Sequence, residues 1–329
     1  MSNEKAFSYH DNIAEILLFV CYERIRAMKS KIKITVLGGD LRQYAAASAL
    51  CDHGWKIALW GLEKAGERDI RIEHEDSFEK AISDADVWLL PLPSALAGNV
   101  LNCPLYSQAA RIKLWDILSN VGENTVVIGG RIPSEIADGL RQRGIKVFDY
   151  FESEDFQIRN AYTTAEAALS IAMNSLDKEI KGAKIAITGY GRIAKHLCAL
   201  LKAIGANVTV AARKESDLVW AESVGARVLP IGTEAELKKA LAELESGYDI
   251  IYNTVPSWLF DRSFLERVCK KTFIIELASA PGGIDVCAAK ELGSNVLWAT
   301  SLPGKYAPES AGRLIGDCVD RILEKEVYT

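Results

Sequence analysis

The sequence is poor in the residues that hold metals and cross-links. Its four histidines, His10, His53, His74 and His196, stand far apart. Its seven cysteines (Cys21, Cys51, Cys103, Cys198, Cys269, Cys287 and Cys318) are odd in number and never in C-x-x-C spacing. Neither a metal site nor a disulfide framework is expected. Most of the cysteines fall in apolar runs, where a reduced thiol behaves as a small hydrophobe, and this points to a reducing cytoplasm. Long apolar runs are missing too. Ile13–Cys21 is interrupted by Glu15 and falls well short of the roughly 20 residues that a membrane span needs. The first residues do not form a secretory n-region. The net charge of −5 gives no field that would recruit nucleic acid or an anionic membrane. There are no repeats and no low-complexity tracts.

What is present is an ordinary globular composition, 49% hydrophobic and 25% charged, over 329 residues, enough for two domains. Short apolar segments alternate with helical patterns throughout. Expected strands are Lys33–Leu37, Trp55–Trp60, Val87–Leu90, Thr125–Ile128 and Ile145–Phe148, then Lys184–Thr188, Asn207–Ala212, Arg227–Pro230, Asp249–Asn253, Phe273–Leu277 and Asn295–Ala299. Helices are expected over Asn12–Lys29, Leu41–Asp52, Asn160–Glu179, Arg192–Ala203, Asp217–Gly225, Glu234–Leu244 and Ala307–Lys325. This alternation predicts an α/β protein with two Rossmann-like, doubly wound parallel sheets. The domain reading is a helical extension over 1–30, a Rossmann-like substrate or partner domain over 31–158, and an interdomain helix over 159–181. A nucleotide-binding Rossmann domain follows over 182–304, and a C-terminal helix over 305–329 packs back on the first domain.

The strongest motif is ITGYGRIAKHL at 187–197. Gly189, Gly191 and Ala194 form G-x-G-x-x-A between a strand and a helix, with a second strand beyond, the frame that a dinucleotide fingerprint requires. Gly189 permits the tight turn, Gly191 lets backbone approach a pyrophosphate, and Ala194 lets helix pack on strand. Tyr190, Arg192 and Ile193 complete the turn, with Tyr190 expected to line it. The helix N-terminus offers N–H groups and a positive dipole end to phosphates. At the end of the next strand an NAD site usually carries an acid, about 20 residues past the glycines, for the ribose 2′-hydroxyl. Here Ala212 stands there, followed by Arg213 and Lys214. An acid would repel a 2′-phosphate and two cations attract it, so NADP is expected; the competing reading is a solvated strand end.

Loops at strand carboxyl ends supply the other candidates, since ligands of doubly wound sheets bind there. Asn253, Thr254, Val255 and Pro256 form one such loop; Ala278 and Ser279, with Gly282 and Gly283, form another; Pro303 lies on a third. Glu276, at the end of a buried strand, is either a pocket base or a paired structural acid. In the first domain the turn reads G-G-D-L-R-Q and lacks the third small residue of the fingerprint, so it should bind something other than a dinucleotide. Asp40 is an N-cap or an orienter of Arg42; Arg42 is a fork for a carboxylate or a surface residue; Gln43 adds a neutral donor. Arg131 is a second cation or a solvated turn residue. Thr163 and Glu166 match a capping box, while Thr164 and Glu166 are equally placed to face a cleft. Thr164, Glu166 and Ser279 are the catalytic candidates. His196 is expected to be structural, and Lys305 and Tyr306 are given no catalytic part.

LGGDLRQ at 37–43, ITGYGRIAKHL, NTVPS at 253–257, ELASAPGGID at 276–285 and LPGKYAPESAG at 302–312 together resemble one family, the A subunits of dipicolinate synthase from spore-forming bacteria. The resemblance runs from about Lys31 to the C-terminus. It implies oxidation of a dihydropyridine or hydroxy-tetrahydropyridine dicarboxylate of the lysine pathway to aromatic dipicolinate. It further implies NADP as hydride acceptor, partnership with a flavoprotein-like B subunit in a homo- or hetero-oligomer, and a place in the mother-cell cytoplasm. Asp40, Arg42, Gln43 and Arg131 would then hold the dicarboxylate. Alternatives are an NADP-dependent amino- or hydroxy-acid dehydrogenase, a hydrolase with a permanently bound NAD, and a non-catalytic NADP-binding scaffold. The missing ribose acid speaks against the hydrolase.

Overall fold

The computed structural model describes residues 23–24, 26–66, 69–108 and 111–328. The run Ile13–Cys21 and most of the expected helix Asn12–Lys29 lie outside them. The chain divides into two compact units, one formed by residues up to Phe156 together with Pro308–Thr329, the other by Gln157–Ala307.

The first unit carries β1 (Lys33–Leu37), α1 (Leu41–Asp52), β2 (Lys56–Trp60), β3 (Glu73–His74), α2 (Phe78–Ser83), β4 (Val87–Leu89), the hairpin β5 (Ala95–Leu96) and β6 (Val100–Leu101), α3 (Leu114–Leu118), β7 (Val126–Gly129), α4 (Ser134–Gln142) and β8 (Lys146–Asp149). A long helix, α5 (Glu154–Ser175), leads into the second unit. There follow β9 (Lys184–Thr188), α6 (Arg192–Ile204), β10 (Asn207–Ala212), α7 (Glu215–Ser223), β11 (Arg227–Pro230), α8 (Glu234–Leu244), β12 (Ile250–Asn253), α9 (Arg262–Arg267), β13 (Phe273–Glu276), α10 (Val286–Leu292), β14 (Val296–Trp298) and α11 (Leu302–Tyr306). The last helix, α12 (Pro308–Ile322), belongs to the first unit.

Each unit contains one six-stranded parallel sheet, ordered β3-β2-β1-β4-β7-β8 in the first and β11-β10-β9-β12-β13-β14 in the second. Both are the doubly wound order in which the chain starts at the centre, winds to one edge, returns and winds to the other. The central strands are buried on both faces, so they read as continuous apolar runs such as Ile250–Asn253, where all four residues are buried. The fold class expected from the alternation is the one observed.

Boundaries shift where the sequence signals are short. The long helix begins at Glu154 and not at Asn160, because its apolar stripe starts upstream at Phe156 and continues through Ala161, Ala165, Ala168 and Ala172, all buried. Thr163–Glu166 is therefore mid-helix and caps nothing; the Thr164 hydroxyl donates to the carbonyl of Asn160 at 2.9 Å, one turn back. The terminal helix closes at Ile322, followed by a wider turn over Leu323–Val327. The two-residue strands β3, β5 and β6 and the short helices α9, α10 and α11 carry too little periodicity to be read in advance.

The first unit is closed by α12 lying on α1. A Cβ on Gly312 would fall 2.3 Å from the Arg42 carbonyl oxygen and 2.5 Å from Ala45 Cβ, and one on Gly316 2.8 Å from Ala49 Cβ. Glycine is needed at both places for the helix backbones to meet, and Ile315, Cys318 and Val319 enter the same core as Ile34 and Tyr150. A buried ion pair pins the far end: Lys29 Nζ lies 2.6 Å from Asp320, whose carboxylate also accepts from Trp55 Nε1 at 2.7 Å. Gly312→Val should force the helices apart and cost roughly 1–3 kcal/mol or more of unfolding free energy, as overpacking does; urea denaturation measures this, and an unchanged midpoint would mean that the contact yields freely.

Candidate functional site

In the second unit the strand order reverses between β9 and β12, and the two loops leaving these strands touch. Thr254 donates twice to the Thr188 carbonyl, through its backbone N–H at 3.0 Å and its hydroxyl at 2.8 Å. Gly189 turns beneath them with φ +85°, and a Cβ there would come within 2.6 Å of Thr254 Oγ1 and 2.9 Å of Val255 Cγ2. The first glycine of the fingerprint is thus required twice over, by conformation and by space. Gly191 differs: a Cβ there would meet nothing within 4 Å. It is the N-cap of the 13-residue helix α6 and no side chain caps that end. The helix leaves its first N–H groups facing an open turn, the arrangement that receives an anion.

Around this turn the predicted residues separate. Ala194 is fully buried, which lets α6 sit on the sheet. Arg192 is exposed and Ile193 half-buried. Tyr190 corrects the expectation that it lines the turn: its side chain is only 6% exposed and packs inward with Ala194 and Cys198, so only its backbone belongs to the turn. Burial pushes its hydroxyl up to about 12. His196 meets Tyr162 edge-on at 5.4 Å, a packing role. At the end of β10, Ala212 is buried, and Arg213 and Lys214 are exposed with no carboxylate partner among the described residues. The first turn of α7 that follows carries Glu215 and Asp217, and its N-cap residue, Lys214, provides no side-chain cap.

Beyond β12 and β13 the loops are tied by a polar cluster. Asn253, fully buried, accepts from the Thr188 hydroxyl at 2.6 Å and donates to both Glu276 oxygens at 2.9 and 2.8 Å. Glu276, 1% exposed, also accepts from the backbone N–H groups of Ala278 at 2.8 Å and Gly283 at 2.9 Å. Burial outweighs the donors and holds its carboxyl above the usual carboxylate range. Of the two roles left open by the sequence, this is the structural one: each carboxylate oxygen is engaged by two protein donors. Val255 is half-buried, Pro256 and Ser279 are exposed, and Pro303 is buried in the first turn of α11. Glu166 is exposed, and its charge raises the Tyr162 hydroxyl one turn back on the same helix.

The first unit uses the same position differently. Gly38 and Gly39 have φ of +69° and +104°, but Cβ atoms on them would strike Cys103 Cβ at 2.9 Å and Gln43 Cγ at 2.1 Å. The chain's own atoms fill the space that is open at Gly191. Asp40 caps α1 by accepting from the Arg42 N–H at 3.0 Å, and it also takes the Arg42 fork, Nε at 2.9 Å and Nη2 at 2.8 Å. Arg42 Nη2 donates further to the Leu92 carbonyl at 2.6 Å. Both roles foreseen for Asp40 are present, and the Arg42 fork is spent on protein atoms rather than held open; its side chain is 8% exposed. Gln43 donates to Leu90 O at 3.2 Å, while its Oε1 is buried with no partner among the described residues. Arg131 adopts φ +52° and lays its guanidinium 4.3 Å over the Phe151 ring. The covering segment around Cys103 was not foreseen; Gly98-Asn99, the turn that brings it back over the glycines, was the available signal.

Among the described residues no three His, Cys, Asp or Glu side chains gather as a metal site, and no helix is long and apolar enough to cross a membrane. Gly189→Ala should lower stability by about 1–3 kcal/mol through strain and contact with Thr254, whereas Gly191→Ala should leave the melting temperature unchanged; equal effects would show that the two glycines are not distinguished by space.

Residues 33–151 match the family model described as the N-terminal domain of the dipicolinate synthase A subunit. The A subunit of dipicolinate synthase from Bacillus subtilis (strain 168) is 29% identical over 296 residues, covering 90% of this chain and 97% of that protein. The crystal structure of the dipicolinate synthase A subunit from Bacillus halodurans superimposes with a TM-score of 0.78 at 26% identity, covering 90% of this chain and 98% of that one. The crystal structure of its Bacillus subtilis counterpart gives 0.75 at 26% identity, over 89% and 96%. Transhydrogenase from Sinorhizobium meliloti, at 16% identity and TM-score 0.57 over 90% and 93%, shares the fold alone. By family model, by sequence and by fold, this chain is a relative of the dipicolinate synthase A subunits.

Proposed function

We propose that the chain is the NADP-binding, oxidising component of a dipicolinate synthase, working with a B subunit in the cytoplasm of the mother cell of a spore-forming bacterium. One observation carries the reading: an uncapped helix start behind the open Gly191 turn, with Arg213 and Lys214 exposed where a ribose acid would stand. The turn from Gly189 to Ile193 would take the pyrophosphate on the backbone N–H groups that follow Gly189, whose own N–H donates to the Ala211 carbonyl, and Arg213 and Lys214 would take the 2′-phosphate. Thr254, Val255, Pro256, Ala278, Ser279 and Pro303 would flank the rest of the nucleotide.

When bound, NADP supplies the hydride acceptor. The substrate, dihydrodipicolinate or its hydroxy-tetrahydro precursor after loss of water, gives up one hydride and one proton and becomes aromatic. Aromatisation supplies the driving force, so the protein mainly positions the ring and accepts the proton. Of the three catalytic candidates, Thr164 has its hydroxyl committed to Asn160 O. Exposed Glu166 has the chemistry of a proton acceptor and Ser279 that of an orienting hydroxyl. The dicarboxylate is assigned to the first unit's residues Asp40, Arg42, Gln43 and Arg131, of which Arg131 is the exposed cation, while the Arg42 fork is engaged by Asp40 and Leu92 O and the Gln43 amide donates to Leu90 O.

The test is a coupled assay fed with the product of dihydrodipicolinate synthase, with and without the B subunit. Dipicolinate and NADPH should appear together in equal amounts. Tight NADP binding without dipicolinate under any combination would remove the synthase reading and leave the scaffold and the amino- or hydroxy-acid dehydrogenase. Arg213→Asp should weaken NADP by about 10-fold or more, the loss of a charge-assisted contact, and leave NAD nearly unchanged in titration calorimetry. Equal weakening of both nucleotides would remove the 2′-phosphate from this strand end.

A further inference from the structure

The Asn253–Glu276 cluster does more than fill the interior of the sheet. Glu276 ends β13, and its two oxygens receive the side-chain amide of Asn253, the N–H of Ala278 and the N–H of Gly283. Every one of these neighbours is a donor. A protonated or amide side chain would therefore turn a hydrogen toward a hydrogen, so the site is built for a carboxylate anion. No cation pairs with it among the described residues.

The donors belong to both loops that flank the nucleotide turn. Asn253 opens the loop after β12, and its Oδ1 holds the Val255 N–H at 3.1 Å as well as the Thr188 hydroxyl. Ala278 and Gly283 open and close the loop after β13. Gly283 is pressed against the first loop so closely that a Cβ would lie 2.5 Å from Asn253 Nδ2 and 2.6 Å from the Ser257 carbonyl oxygen. Its own carbonyl accepts from Leu259 and Phe260, both at 2.9 Å. Thr188 immediately precedes Gly189, so the chain of bonds runs from the glycine turn through Thr188 and Asn253 to Glu276 and on to Gly283.

We infer that Glu276 is a positioning residue for nucleotide binding: its buried carboxylate locks the loops after β12 and β13 to each other and to the glycine turn, so that the crevice exists before the ligand arrives. The inference rests on the nucleotide-binding reading above, and Glu276 itself touches no ligand atom. Preorganisation of this kind appears as affinity, because loops already ordered cost nothing further on binding.

Glu276→Gln keeps the shape and removes one acceptor. A second variant, Tyr252→Phe, removes a buried hydrogen bond on the neighbouring strand, from Tyr252 to the Ala168 carbonyl at 3.0 Å, without touching the loops. Both should lower the melting temperature. Glu276→Gln alone should weaken NADP and NAD by a similar factor of about tenfold, the scale of one charge-assisted hydrogen bond, with faster amide hydrogen exchange at Ala278 and Gly283. Tyr252→Phe should bind both nucleotides as the wild type does. Wild-type affinity in Glu276→Gln, or equal loss in the two variants, would overturn the inference and leave Glu276 a stability residue. A wild-type chain that binds no nucleotide would instead sink the functional reading, and unchanged exchange at Ala278 and Gly283 in Glu276→Gln would sink the brace independently.

Discussion

A buried carboxylate met only by N–H donors governs the second unit. Taking an anion out of water costs several kcal/mol even after the protein relaxes. Hydrogen bonds to a charged group return about 1.5–3 kcal/mol each, and Glu276 collects them from Asn253, Ala278 and Gly283. The balance is close, which is why the site tolerates so little else. Gly283 can carry no side chain because Asn253 must reach Glu276 beside it, and Gly189 can carry none because Thr254 must reach the Thr188 carbonyl. Glycine at 283 follows from the contacts gathered by the acid at the end of β13, and glycine at 189 from the Thr254–Thr188 contact beside them.

The two units have the same strand order and opposite fates at the same turn. In the second, the glycine turn has space beyond Gly191 and an uncapped helix behind it. In the first, Asp40 caps the helix with its own carboxylate, an internal anion at the place where a phosphate would sit. Arg42 neutralises that carboxylate and ties it to Leu92, and the Cys103 segment covers the glycines. The turn that stands open in the second unit is thus closed in the first by Asp40, Arg42 and Cys103, without any change of topology. Near the carboxyl ends of its strands the first unit keeps two buried polar atoms without a partner among the described residues, Gln43 Oε1 and the Tyr150 hydroxyl.

The fold was readable because it rests on signals that physics makes local. Buried parallel strands must be apolar along their whole length, and β9, β10, β11 and the helices α1 and α8 fall at their expected residues. Gly189, Gly191 and Ala194 could be given separate tasks from spacing alone. Three things could not be read. The start of α5 depends on Phe156 finding the first unit's core, a tertiary fact. Tyr190 lies between two glycines, and its inward turn depends on the gap beside Cys198. The Arg42 fork looks open in sequence because Asp40, two residues before it, serves equally well as a cap; only the backbone angle at the helix start lets one carboxylate do both.

On the proposed reading, choice of nucleotide and affinity for it would rest on different parts of the second unit. Arg213 and Lys214 are exposed on a strand end whose next helix begins with Glu215 and Asp217. Neither acid is paired with these cations among the described residues, and an exposed pair would be worth only about 0.2–1 kcal/mol. A 2′-phosphate presents up to two charges and three acceptor oxygens to the same guanidinium and ammonium groups. It can outcompete carboxylates that make no fixed contact with them. The same acids would still repel a phosphate that sat further along α7, which confines any favourable position to the strand end itself. Selectivity for the phosphorylated nucleotide would then come from a short stretch of exposed chain, while general affinity for a dinucleotide would come from the preformed loops around Glu276. The two contributions are physically separate, one electrostatic and salt-sensitive, the other steric and buried.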